Sequence, residues 1–130
     1  MKKTICFDLD GVITDYKSWK KRKILTESDA IIYTKGIANL FRKLKPIKGV
    51  KDFIKKLIKE YTIIIYTARG EHFRKLTEDW LNLYKIPYNR LIMNKPMAHI
   101  YIDDLGMAFK ATRWTAHYRR RLVEELNENG

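Results

Sequence analysis

Two aspartates separated by a single leucine, Asp8 and Asp10, follow the short apolar run Ile5-Cys6-Phe7 and precede Gly11. Carboxylates that close destabilise each other unless a cation or a proton sits between them. On a continuing strand both would point to one face, because side chains alternate with period two. Gly11 lets the chain turn away at once and leaves the pair at the strand's carboxyl end, the edge where open α/β sheets bind ligands. A pair so placed can hold a divalent ion, supply a nucleophile and exchange protons. Asp8-Leu9-Asp10-Gly11 also reads as an ordinary turn, since Asp and Gly dominate turns. The apolar flanks and the polar strand ends downstream favour the site.

Those strand ends recur along the chain. Tyr61-Thr62-Ile63-Ile64-Ile65-Tyr66 is apolar, aromatic and β-branched nearly throughout, as suits a central parallel strand covered on both faces, and it stops at Thr67-Ala68-Arg69-Gly70. Thr67 also has a plainer reading, as a helix cap or turn hydroxyl. Leu91-Ile92-Met93 reads as a brief strand before Asn94-Lys95-Pro96, and Ile100-Tyr101-Ile102 as another before Asp103-Asp104. His72 and Arg74, near the start of a helix after Thr67, are within reach of the same edge, although most residues so placed are simply exposed.

The elements that must position these ends follow from periodicity. Gly36 to Lys45 reads as a helix with Ile37, Leu40, Phe41 and Leu44 on one side, stopped by Pro46. Val50, Phe53, Ile54, Leu57 and Ile58 keep helical spacing, with Lys51, Lys55, Lys56 and Lys59 on the opposite, solvated face. Glu71 to Lys85 is a further amphipathic helix carrying Phe73, Leu76, Thr77, Trp80, Leu81 and Tyr84. From Trp114 a terminal helix is expected, with Tyr118, Leu122 and Leu126 inward and Arg119-Arg120-Arg121 largely outward. Alternating strands and helices imply an α/β fold, a doubly wound parallel sheet sandwiched by helices. All four polar strand ends would then share one rim.

The 130 residues read as a single domain able to bury a core without staples. Thr14 to Thr34 has no clean period; residues 14–45 are read as a small lid or insert, with Ile31-Ile32-Tyr33 as an edge strand or part of that lid. No apolar run approaches membrane-spanning length, and Asp8 and Asp10 interrupt what a signal peptide would need, so a cytoplasmic protein with no membrane partner is expected. The lone Cys6 is placed in a buried strand and is not expected to be a reactive thiol. The net charge of +12, from 27 basic and 15 acidic side chains, favours anionic partners, or else reflects a lysine-rich proteome. Lys17-Ser18-Trp19-Lys20-Lys21-Arg22-Lys23 can track a phosphate backbone with an aromatic ring for stacking; a solvated face with Trp19 packed on the domain is the preferred reading.

Phe7-Asp8-Leu9-Asp10-Gly11-Val12-Ile13, a strand ending in Thr67, then Lys95, then Ile102-Asp103-Asp104, together resemble the four motifs of the haloacid-dehalogenase-like superfamily, in order and each beside an apolar strand. Lys45-Pro46-Ile47-Lys48-Gly49-Val50, Ile65-Tyr66-Thr67-Ala68-Arg69-Gly70 and Tyr101-Ile102-Asp103-Asp104 further resemble small capless phosphatases of capsular polysaccharide operons and phage genomes. The resemblance implies that Asp8 is the nucleophile and Asp10 the general acid and base. It implies that Thr67, Ala68 and Lys95 bind the phosphoryl group. Mg²⁺ would be held by Asp8, Asp10 through its main-chain carbonyl, and Asp103, with Asp104 acting on the metal through water or orienting Lys95. Asp10 points to phosphoryl chemistry, because dehalogenases of this fold lack it and transporting ATPases replace it. The short intervals from Ile13 to Pro46 and from Gly70 to Asn94 leave no room for a large cap. Val12 stands where Thr is frequent, a small departure.

The reading is therefore a Mg²⁺-dependent phosphomonoesterase working through an aspartyl-phosphate on a sugar phosphate, a nucleotide or a nucleic acid end, with a homo-oligomer among the arrangements that could close an open site. The alternative is a basic nucleic-acid-binding module on the same core with little or no catalysis. A phosphotransferase would differ only in its acceptor.

Overall fold

The computed structural model describes residues 2–17, 33–109 and 113–128. The run Ser18-Trp19-Lys20-Lys21-Arg22-Lys23, and Ile31 and Ile32, lie outside the described residues. In chain order the elements are β1 (Thr4–Asp8), α1 (Tyr33–Lys43), α2 (Val50–Leu57), β2 (Thr62–Tyr66), a single 3-10 turn (Glu71–Phe73), α3 (Arg74–Leu83), β3 (Arg90–Ile92) and α4 (Ala116–Glu128). Tyr33 thus opens a helix rather than continuing an edge strand.

The three strands form a parallel sheet in the order β1-β2-β3 with helices flanking it, an α/β fold without a large cap among the described residues. Asp8 is level with Tyr66, and Tyr66 with Ile92, so the carboxyl ends of all three strands open on one rim. Parallel pairing requires a crossover between neighbours, which α2 and α3 supply. Ile5, Phe7, Ile63, Ile65 and Leu91, in register across one face, are buried. Val50, Phe53, Ile54 and Leu57 of α2, and Thr77, Trp80 and Leu81 of α3, are the buried stripes their spacing requires.

A cluster of aromatic rings joins this core to the carboxyl-terminal segment. Trp114 stacks on Phe109 with centroids 4.2 Å apart, and meets Phe53 at 4.5 Å and Phe7 at 5.5 Å. Its indole N–H donates to the Val12 carbonyl at 2.8 Å, so the loop after β1 is tied to the far end of the chain. Gly49 has φ +88°, and a Cβ there would lie 2.5 Å from the Trp114 carbonyl oxygen. Only glycine meets both demands, an αL backbone and a neighbouring backbone in contact.

Two expectations change. Cys6 is exposed, because β1 alternates and turns Ile5 and Phe7 inward instead. Partial desolvation pushes its thiol pKa up, which leaves it a poor nucleophile. Ile100-Tyr101-Ile102 forms no strand: Ile100 and Ile102 are 75% and 95% exposed. Only Met93 to His99 separate this run from the rim end of β3, whereas a parallel crossover takes about a dozen residues. No helix among the described residues is long and apolar enough to cross a membrane.

Candidate active site

β1 ends at Asp8, and the chain leaves the sheet through a tight loop rather than continuing as strand. The Leu9 carbonyl accepts from the N–H groups of Val12, Ile13 and Thr14 at 3.3, 2.8 and 3.0 Å, and Gly11 turns the chain at φ +90°. Leu9 and Ile13 are fully buried, which anchors the loop from below. Ile47 N–H donates to the Ile13 carbonyl, and Asp15 N–H to that of Lys45, so the segment before α2 braces the loop from the side.

The Asp8 carboxylate is fixed at one oxygen and open at the other. Oδ1 accepts from Leu9 N–H at 2.8 Å, and Oδ2 lies 3.7 Å from Lys95 Nζ. Burial pushes the Asp8 carboxyl above its usual pKa and Asp10 adds to this, while Lys95 and Leu9 N–H oppose it. Lys95 reaches Asp8 because Lys95 N–H donates to the Thr67 carbonyl at 2.8 Å and Asn94 takes φ +63°. Its ammonium also lies 4.3 Å from the Tyr101 ring centroid and 5.4 Å from that of Tyr66. Thr67 is buried where β2 ends, its hydroxyl accepting from Arg69 N–H at 3.2 Å and so keeping its own proton to donate. Ala68 is exposed on the rim.

Asp10 is held differently. Its Oδ1 accepts from Thr14 Oγ1 at 2.9 Å and Arg69 Nη2 at 2.8 Å, and its Oδ2 accepts from Arg69 Nε at 2.9 Å. The Arg69 side chain is only 2% exposed; Nη1 donates to Thr77 Oγ1 at 3.0 Å, and the guanidinium lies 3.7 Å over the Phe41 ring. Sequence reasoning assigned Arg69 no role. The signal was faint: an arginine beside a polar strand end, with a threonine two helical turns further on.

The rim thus gathers Asp8, Asp10, Thr67, Ala68 and Lys95. Asp103 and Asp104 are exposed, and Asp103 Oδ1 accepts from Leu105 N–H at 2.7 Å in a local turn. No group of three or more His, Cys, Asp or Glu able to hold a metal forms among the described residues. Arg74 pairs with Glu71 at 2.5 Å and donates to the Leu91 carbonyl, and His72 packs on the Phe73 ring. Arg74 lines a cavity of about 650 Å³ beside β3 that Asp8, Asp10, Thr67 and Lys95 do not line.

The donor set suits a hard cation. Mg²⁺ is commonly held by one or two carboxylates and keeps waters and substrate phosphate oxygens. The Asp8 carboxylate, 40% exposed, and a main-chain carbonyl at Asp10 supply oxygen of that kind, whereas the Asp10 carboxylate is committed to Arg69 and Thr14.

No protein-family model matches the chain. It is 30% identical to the 5'(3')-deoxyribonucleotidase of Bacillus subtilis (strain 168) over 80% of this chain and 77% of that protein, and equally to the 5'(3')-deoxyribonucleotidase of Bacillus phage SPbeta. A crystal structure of a Vibrio cholerae protein superposes with a TM-score of 0.62 at 20% identity, covering 95% of this chain and 98% of that one, and supports the fold. The chain belongs to the haloacid-dehalogenase-like superfamily, as a phosphatase, a phosphoric monoester hydrolase, of the family that contains these two nucleotidases.

Proposed function

We propose that the protein removes the phosphoryl group from deoxyribonucleoside monophosphates, with Mg²⁺, through an aspartyl-phosphate on Asp8. The observation that carries this is the half-exposed Asp8 carboxylate facing Lys95 at 3.7 Å on the rim where Thr67 follows β2. The two Bacillus relatives named for this activity supply the substrate class.

Asp8 Oδ2 is the attacking atom, since Oδ1 is tied to Leu9 N–H. Lys95 and the Thr67 hydroxyl donate to phosphoryl oxygens as charge accumulates on them, and Ala68 N–H, at the exposed rim, is a further donor. Asp10 protonates the departing ester oxygen and then takes a proton from the water that hydrolyses the acyl phosphate, a role worth about a hundredfold to ten-thousandfold. When bound at Asp8 and the Asp10 carbonyl, Mg²⁺ offsets the repulsion between carboxylate and phosphate and polarises the phosphoryl group.

Asp103 is proposed as the remaining metal ligand, with Asp104 supporting it. One observation supports this reading: the Tyr101 ring, two residues before Asp103, lies 4.3 Å from the Lys95 ammonium that faces Asp8, so the segment carrying Asp103 runs beside the rim.

The test is release of inorganic phosphate from a panel of 5'- and 3'-deoxyribonucleotides, ribonucleotides, sugar phosphates and a 3'-phosphorylated oligonucleotide, with Mg²⁺ and with EDTA. Highest kcat/KM on a deoxyribonucleoside monophosphate is expected, with no turnover in EDTA. Preference for a sugar phosphate or the oligonucleotide would overturn the substrate class, and undiminished turnover in EDTA the metal.

A further inference from the structure

Arg69 sits between two rim residues, Ala68 and Gly70, where an arginine would ordinarily be read as a phosphate clamp. Its geometry contradicts that. The side chain is 2% exposed, and all three guanidinium nitrogens are already donating: Nε and Nη2 to Asp10, Nη1 to Thr77. Stacking on Phe41 at 3.7 Å closes one face of the plane. Nη1 and Nη2 each keep a second N–H, but at 2% exposure neither is open to an anion at the rim.

Stability does not explain the pair either. Taking two charges out of water costs several kcal/mol per ion, and well-packed apolar residues often serve as well, so a buried ion pair is weak evidence for stabilisation. What the contact does achieve is orientation. A fork of two parallel N–H···O bonds sets both the direction and the plane of a carboxylate, which a single ammonium cannot do. Thr14 fills the remaining position on Oδ1, so Oδ1 carries two donors while Oδ2 carries one among the described residues. A carboxylate oxygen accepts two, so one lone pair on Oδ2 is left for a proton.

We propose that Arg69 is a positioning residue: by its fork it fixes the Asp10 carboxylate so that Oδ2 presents its unfilled lone pair to the ester oxygen that leaves and the water that follows. Thr77 and Phe41 act one step further out by holding the guanidinium in plane. The inference rests on the proposed roles of Asp8 and Asp10.

The experiment measures kcat/KM for phosphate monoesters whose leaving groups run from 2,4-dinitrophenol to an alkyl alcohol. This ratio reports the step in which the ester oxygen departs, and a departing alkoxide needs a proton where dinitrophenolate does not. Arg69→Gln is expected to change dinitrophenyl phosphate turnover by less than about fivefold and alkyl phosphate turnover by about a hundredfold or more, the scale of general acid catalysis. Asp10→Asn should show the same slope, and Thr77→Val a shallower one in the same direction. Arg69→Lys, which keeps the charge but not the fork, should resemble Arg69→Gln. A loss uniform across the series, or a raised KM with unchanged kcat, would overturn the proposal and leave Arg69 as a structural or phosphate-contacting residue. Should Arg69→Gln not fold, a flat profile for Thr77→Val overturns it equally. Full activity of Asp8→Asn would instead refute the proposed nucleophile, and is read separately.

Discussion

The two aspartates of the loop should respond to neutralisation with opposite signs of stability. Asp10→Asn leaves the Arg69 guanidinium, 2% exposed, without its counter-ion, and turns an amide N–H₂ toward Nε or Nη2, donor against donor. Removing one partner of a buried pair costs about 3–5 kcal/mol. Asp10 keeps 22% exposure, so water reaches part of the site and the lower end, about 3 kcal/mol, is expected. At about 4 °C per kcal/mol for a chain of this size, Tm should fall by about 12 °C. Asp8 has the reverse balance. Its folded carboxyl pKa is raised, chiefly by burial, so the folded state binds its proton more tightly than the unfolded chain does. Above that range the ionised group opposes folding, and Asp8→Asn removes the opposition. At pH 7 in EDTA, Asp8→Asn should therefore melt at or above the wild-type temperature while Asp10→Asn melts well below it. Thermal unfolding followed by circular dichroism reads both. If Asp10→Asn matched the wild type, or if Asp8→Asn fell as far, the buried fork would not be holding the loop.

Other substitutions probe separate parts of the structure. Gly49→Ala sets a β-carbon 2.5 Å from the Trp114 carbonyl at a positive φ and should cost about 2–3 kcal/mol in denaturant unfolding. Trp80→Phe removes the indole N–H that donates to the Leu44 carbonyl at 2.9 Å, costing about 1–3 kcal/mol, with kcat unchanged because the indole bonds Leu44 and packs on Tyr84 rather than on Asp8, Asp10, Thr67 or Lys95. Lys95→Ala should lower kcat/KM by about a hundredfold or more, as loss of a donor to a developing anion does, measured with the preferred nucleotide. Asp103→Asn should raise the Mg²⁺ concentration for half-maximal rate about tenfold or more; an unchanged requirement would remove Asp103 from the metal seat.

Much of the rim was legible because its parts announce themselves locally. An apolar run ending in Asp8, another in Thr67 and a third just before Lys95 are each visible within ten residues or so, and parallel pairing brings their ends level. Helical stripes such as Val50, Phe53, Ile54 and Leu57 are similarly local. What escaped notice depends on distant contacts. Arg69 and Asp10 are 59 positions apart, and nothing near either says that the arginine points inward. Cys6 looked buried because its neighbours are apolar, but alternation along β1 turns it out. Ile100-Tyr101-Ile102 has the composition of a strand, yet composition does not supply the crossover a parallel partner needs.

Direct capture of the covalent intermediate is the most decisive observation. With the preferred nucleotide in excess, an acid quench within the first turnovers followed by borohydride reduction converts a phosphorylated aspartate to homoserine, which peptide mass spectrometry locates. Conversion at Asp8 alone, dependent on substrate, is the expected result. Steady phosphate release with Asp8 unmodified, or with the label on Asp10, would contradict the assignment of the nucleophile.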